Sequence, residues 1–471
     1  MEEKELFEKL SYSPKHVNEA MSEELKQAAF SYCEGYKAFM TQAKTEREAV
    51  CLSVQEAEKA GFVCLDEKEQ LKPGDKVYAV NAKKGILLAV IGSEDIKNGV
   101  NMVGAHIDSP RIDLKPRPLF EEENMGWLRT QYYGGIKKYH WLALPLAMHG
   151  VICKTDGSTV SVCIGESDDD PVFTITDLLP HLSQDQMQKQ LAKAFNADNF
   201  HVLIGSLPKG GEDIKEKVKF NLLCLLYDKY GITEEDFTSA EIELVPAGKA
   251  RDVGFDRSMV GAYGQDDKVC AYASLKALLD LTVAGAIPKK TAVCLLVDKE
   301  EIGSMGATGM KSRFFELQLC RMAAKMTGSC DAYLLNTILS HSCCLSADVG
   351  AAYDPQFPEV HEKQNAAYAG CGVLLCKYTG GRGKSDSSDA NAEFVASIRG
   401  LLNENGVYWQ NGELGKVDVG GGGTIAQYVA NLGVSVLDCG TPILCMHAPF
   451  EVSSKFDCYM TYRAYRVFYE A

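Results

Sequence analysis

Two adjacent carboxylates, Glu300 and Glu301, follow the apolar run from Ala292 to Val297 and precede Gly303. The run is aliphatic and β-branched and reads as a buried strand. Adjacent residues on an extended chain point to opposite sides, so the pair predicts a division of labour. One acid would hold a metal while the other handles a proton. The small-residue segment Met305-Gly306-Ala307-Thr308-Gly309 reads as the opening of a helix. Open α/β sheets place their ligands at such strand ends, which favours a site over a merely solvated pair.

Four further segments carry donors at comparable places. The run from Asn101 to Ala105 reads as a strand delivering His106, Ile107 and Asp108. Two residues apart on extended backbone share a face, so Asp108 can orient a metal-bound His106; a plain turn after a strand is the alternative. Asp266 and Asp267 stand before a helix whose apolar stripe includes Ala271, Leu275, Leu278 and Leu279. They are either dipole partners of that helix, or one of them points into a metal site while the dipole offsets its charge. The segment from Cys344 to Asp348 reads as a strand ending in an acid, and Cys445 to Glu451 presents His447. Two histidines, three carboxylates and a spare carboxylate suit two hydrolytic metal ions sharing a bridging ligand. Nitrogen and oxygen donors without thiolate favour zinc, with cobalt or manganese as alternatives.

These segments must be positioned by the rest of the chain. Helices are predicted from Ser22 and from about Thr45 to Ala60, then a hairpin of Val77 to Val80 with Ile86 to Ile91. From Trp127 to Val151 and Thr159 to Ile164 the sequence is rich in aromatic and β-branched residues. Helix-favouring stretches follow from Ser183 to Ala194 and Lys215 to Tyr230, then a strand from Ile242 to Val245. Because site segments flank this region, 116–249 reads as an inserted, largely β domain, leaving 1–115 and 250–471 as a discontinuous catalytic domain. The C-terminal half alternates strand and helix, with helices predicted at Ser388 to Leu402 and Thr424 to Leu432. The fold class is therefore α/β, a central mixed sheet sandwiched by helices. The run from Gly420 to Gly423 lacks the order of a phosphate loop.

Composition narrows the partners. The chain has 471 residues and a formal net charge of -15, which argues against nucleic acid or an anionic membrane surface. Its 17 cysteines lack any Cys-x-x-Cys pair, a pattern of reduced thiols. The charged N-terminus has no apolar core behind it, and no stretch is long and apolar enough to span a bilayer, so a cytoplasmic location is expected.

Five motifs, taken together and in order, resemble the aspartyl aminopeptidase and vacuolar aminopeptidase I family of dinuclear zinc exopeptidases. They are Gly104-Ala105-His106-Ile107-Asp108-Ser109-Pro110, Gly264-Gln265-Asp266-Asp267, Asp298-Lys299-Glu300-Glu301-Ile302-Gly303-Ser304, Ser346-Ala347-Asp348 and Met446-His447-Ala448. The resemblance spans essentially the whole chain. It implies that His106 and Asp348 hold one metal, that Glu301 and His447 hold the other, and that Asp266 bridges them. It implies Glu300 as general base and Asp108 as the residue orienting His106, with a cis Asp266–Asp267 peptide. Peptide substrates and a dimer-based, dodecameric homo-oligomer are implied as well.

The stretch Thr176-Asp177-Leu178-Leu179-Pro180-His181-Leu182 resembles the one by which family members lend a histidine to a neighbouring subunit, against a core histidine as the alternative. After Asp348, histidines found in relatives of the animal type are absent, so the preferred N-terminal residue is left as acidic or neutral. Lys377, Arg382 and Lys384 are the candidates for a basic specificity pocket. A carboxypeptidase or deacylase of the same dinuclear type, and an idle assembly protein, are the competing readings.

Overall fold

The computed structural model describes residues 3–12, 14–283 and 285–471. Three sheets form among these residues. The largest has nine strands, ordered Val63–Cys64, Lys76–Asn81, Gly85–Val90, Thr291–Val297, Val100–His106, Cys343–Ser346, Ser435–Gly440, Val373–Cys376 and Trp409–Asn411. Its four central strands, from Thr291–Val297 to Ser435–Gly440, run parallel. Antiparallel partners flank them on both sides, so the sheet is mixed.

The period of two divides each central strand between two cores. Ala292, Cys294 and Leu296 enter the core shared with the helices Glu23–Gln42, Gln265–Val283 and Lys455–Glu470. Val293, Leu295 and Val297 enter the opposite one, shared with Phe314–Thr327 and Ala332–His341. Burial on both faces explains why these strands read as unbroken apolar runs. The expected hairpin is present, Lys76–Asn81 pairing with Gly85–Val90.

The second sheet has seven strands drawn from between Arg111 and Pro246, with its own core around Trp141, Leu146 and Val202. Its strand Arg111–Glu122 starts before residue 116. A third, five-stranded sheet joins Arg251–Val253 and Met259–Ala262 to Glu451–Ser454, Pro442–Leu444 and Gly350–Ala351.

Several local expectations need correction. No helix opens at Met305; the helix there is Phe314–Thr327, and the glycine-rich segment before it is irregular. Glu300 and Glu301 are not on extended chain but in a short 3-10 turn, Glu300–Ile302, entered through Lys299 at φ 67°. The stretch from Ser183 to Ala194 breaks into two four-residue helices, Gln184–Met187 and Leu191–Ala194. The other two helices are shorter than predicted, at Ala392–Glu404 and Ala426–Ala430, and the residues from Ser387 to Asn391 before the first are irregular.

Candidate metal centre

The C-terminal ends of the parallel strands converge on one cavity of about 630 Å³. Asp266, Glu300, Glu301, Asp348 and His447 line it, and His106 lies buried behind them. His106 is the last residue of its strand, fixed by parallel pairing to Val297 across the ladder. Asp348 follows Ser346 by two residues. Gly440 allows this approach, because a Cβ there would lie 1.8 Å from the Asp348 carbonyl oxygen.

Asp266 stands between the two histidines. Its Oδ1 is 3.2 Å from His106 Nε2, and its Oδ2 is 3.2 Å from His447 Nε2. The Asp266–Asp267 peptide is cis, as the resemblance implies. Asp267 points elsewhere: its Oδ2 accepts the His106 N–H, and its carboxylate groups with His106 and Asp348. His106 Nδ1 is 3.3 Å from Asp108 Oδ1 and 3.1 Å from the Asp108 carbonyl oxygen, which fixes the ring.

Asp108 organises the turn Glu300–Ile302 too. It accepts the N–H of Glu300 at 3.1 Å, the N–H of Glu301 at 3.2 Å and the Tyr133 hydroxyl at 2.8 Å. The two glutamates divide as their neighbours dictate. Glu301 Oε2 is 3.4 Å from His447 Nε2, whereas Glu300 Oε2 is 3.9 Å from His106 Nε2.

Three contributors escaped the sequence reading. Glu451 Oε1 accepts the His447 N–H at 2.7 Å and its Oε2 accepts the Asp266 N–H at 3.1 Å, so one buried carboxylate sets both backbones. His447 Nδ1 meets the Gly135 carbonyl at 2.9 Å. Tyr133 is the third. Glu451 lies four residues from His447, a proximity that could have flagged it; Gly134-Gly135 was legible only as a turn. A Cβ on Gly135 would sit 3.3 Å from His447 Nδ1, so the glycine admits the ring.

Concentrated acids leave their mark on protonation. Burial pushes Glu300 up to about 7, and pushes Glu301 and Asp348 well above the usual carboxylate range, with neighbouring acids adding to it. Burial alone would lower His447, but Asp266 and Glu301 outweigh it and raise the imidazole to about 10. His106 is likewise raised despite burial, by Asp108 and Asp266. Glu301 Oε1 and Asp267 Oδ1 are buried without a hydrogen-bond partner among the described residues. Buried polar atoms are costly unless paired or coordinated, so the donor set fits divalent cations.

The remaining predicted residues lie apart. Lys377 is exposed just past the strand Val373–Cys376, whose last residue Cys376 lines the cavity. Lys384 pairs with Asp389 at 3.1 Å. His181 is exposed on the turn Pro180–Leu182, which rules out the core-histidine alternative.

A mixed sheet with histidines and carboxylates gathered at its parallel strand ends defines a metal-dependent hydrolase of the α/β class. The family model for the aminopeptidase I zinc metalloproteases (M18) matches residues 39–469, and the chain belongs to that family. It is 51% identical over 444 residues to the "Probable M18 family aminopeptidase 1" of Clostridium acetobutylicum, covering 93% of this chain and 94% of that one. The Thermotoga maritima relative of the same description is 49% identical over 437 residues, covering 93% and 95%. The crystal structure of the Thermotoga maritima M18 aminopeptidase superposes with a TM-score of 0.93 at 47% identity, covering 98% of this chain and 100% of that chain. The protein is thus a zinc aminopeptidase, which sets aside the carboxypeptidase, deacylase and idle-assembly readings. No helix among the described residues is long and apolar enough to cross a membrane.

Proposed function

We propose that this chain removes the N-terminal residue of peptides by a two-metal mechanism, with His106 and Asp348 on one ion, Glu301 and His447 on the other, and Asp266 between them. The observation that carries the reading is Asp266, with one carboxylate oxygen toward each histidine at 3.2 Å. Two bound divalent cations, zinc with cobalt or manganese as substitutes, supply polarisation of the scissile carbonyl and acidification of water. Glu300 takes the proton from the attacking water and delivers it to the leaving amine. Its place in the cavity wall, 3.9 Å from His106 Nε2 and beside the proposed ligand Glu301, suits both halves of that transfer. Asp108 holds His106 and the catalytic turn in register.

The preferred N-terminal residue is neutral. Met305, Leu374 and Leu414 line the cavity beside Asp386 and Glu413, a wall that disfavours an acidic side chain. Lys311 reaches it as well, but its ammonium is engaged by the Tyr428 ring, 4.5 Å from the centroid.

The catalytic unit is a dimer. Residues 116–249 form the dimerisation domain, and the partner's His181 donates to the developing oxyanion. Exposed Leu178, Leu179 and Leu182 around His181 support an interface there. Dimers assemble into a dodecamer, the state described for the mApe1 structure, which shares the fold at a TM-score of 0.74.

A metal-supplemented panel of Asp, Glu, Leu, Met and Lys amides, run beside N-acylated amino acids, tests the reading. Leu and Met amides should be cleaved at least about tenfold faster than Asp or Glu amides, the scale of discrimination one pocket contact provides. Faster cleavage of Asp or Glu amides would overturn the neutral preference, and metal-independent cleavage would overturn the mechanism.

A further inference from the structure

A second group of metal-ligating side chains lies away from the cavity, where the helix Glu46–Lys59 meets the outer strands of the seven-stranded sheet. His149 and Cys163 are direct cross-strand partners in the pairing of Leu146–Cys153 with Thr159–Ile164, so their side chains share a face. Glu48 comes from the helix. One ligand atom each from Glu48, His149 and Cys163 lie within 4.8 Å of one another. His149 is 2% exposed, and its ring bridges two acids: Nδ1 is 2.7 Å from Glu48 Oε1 and Nε2 is 3.1 Å from Glu166 Oε1.

The residues are prepared for a ligand on three counts. Glu48 already spends its other oxygen on the Thr45 N–H at 3.0 Å in a capping box, which fixes its side chain without using Oε1. Cys163 is exposed, so its thiol is accessible. Lys44 lies 3.7 Å from Glu166 Oε1, but its ammonium is anchored on the Pro246 and Gly248 carbonyls, at 3.1 and 2.6 Å. It is buried beside Glu166 and held by those backbone carbonyls.

We propose that Glu48, His149 and Cys163, with water as fourth donor and Glu166 left on the other ring nitrogen, bind a borderline-soft divalent cation of the zinc type. An imidazole, a thiolate and a carboxylate within 4.8 Å of one another are the donors such an ion selects, and calcium or magnesium would not accept the sulfur. On binding, the Cys163 thiol and the His149 ring release their protons to solvent, and Glu48 Oε1 exchanges its contact with the ring for the ion. The ion would clasp the helix Glu46–Lys59, which packs on the nine-stranded sheet, to the edge of the seven-stranded one. Without it, the same side chains form a set of ion pairs.

Cobalt distinguishes these cases, because the catalytic donors are nitrogen and oxygen only and give no thiolate signal. The full-length enzyme would be stripped of metal with a chelator, dialysed, and titrated with Co2+ past the filling of the cavity while thiolate-to-cobalt charge transfer is followed in the near ultraviolet. The band should rise to saturation at about one further ion per chain, as one added site requires. It should vanish in Cys163→Ser, which keeps folding and peptidase activity. His149→Asn serves as a second probe and should lose the same band. A wild-type titration without the band, or a band that survives in Cys163→Ser, would overturn the site; folding is checked in each variant by circular dichroism.

Discussion

Replacing Glu300 by glutamine separates proton transfer from metal retention. The side chain lines the cavity, yet the turn carrying it is held through its backbone N–H, which donates to Asp108 at 3.1 Å. An isosteric amide leaves that anchor untouched. What it removes is the proposed base, and general-base catalysis supplies about 10²–10⁴-fold, or roughly 3–5 kcal/mol of transition-state stabilisation. Glu301→Gln differs, because Glu301 Oε2 faces His447 at 3.4 Å and its Oε1 is buried with no hydrogen-bond partner among the described residues. A neutral amide there should weaken metal binding by at least about the 10–100-fold seen for outer-sphere residues. The assay pairs kcat on a leucine amide with metal content after dialysis, measured by plasma mass spectrometry. Glu300→Gln should keep its metal and lose turnover, whereas Glu301→Gln should lose both. If Glu300→Gln empties the site and Glu301→Gln does not, the two roles are reversed and the assignment fails.

Tyr133→Phe removes a hydroxyl that donates to Asp108 at 2.8 Å, a bond to a charged group of about 1.5–3 kcal/mol. Metal affinity in calorimetric titration should fall about tenfold or more; unchanged affinity would show that Asp108 is adequately held without it. Mixing His181→Ala subunits with Glu300→Gln subunits should restore part of the activity, and two inactive parents that stay inactive after verified mixing would exclude donation between subunits. Burial pushes the Asp457 carboxyl up to about 7, although the Gly370 and Gly372 N–H groups donate to it. The folded state then holds a proton that the unfolded state releases near pH 4, so this residue's stabilisation is full below that value. It declines as pH rises to about 7, by about 4 kcal/mol at most. Asp457→Asn should flatten that slope in denaturant titrations at successive pH values; a slope equal to wild type would refute it.

Much of the centre was legible because its segments are local. Apolar runs ending in His106, Asp298 to Glu301 and Asp348 announce buried parallel strands, and the sheet collects those ends in one place. The same locality explains what was missed. Tyr133 and Gly135 reach the site only through a separate sheet, and no pattern within the chain pairs Gly135 with a histidine 312 positions away. The 3-10 turn at Glu300 was hidden as well. Its geometry depends on Lys299 in a left-handed conformation and on Asp108 capturing two successive N–H groups, neither of which periodicity encodes. Lys377 failed for the opposite reason. Its charge suggested a role, but the strand ends at its neighbour Cys376, which takes the place in the cavity wall.

The Gly135 carbonyl at His447 Nδ1 has a consequence for how such a protein can be recombined. A ring nitrogen facing a carbonyl oxygen carries the hydrogen, which turns the other nitrogen toward Asp266 and Glu301, where a bound cation would take its lone pair. The tautomer of a histidine in the C-terminal segment is thereby written in a glycine turn more than half the chain away. A chimera that grafts this segment onto a relative's scaffold inherits the imidazole but not its proton address. The turn and the histidine travel as one hereditary unit, although the chain keeps them far apart.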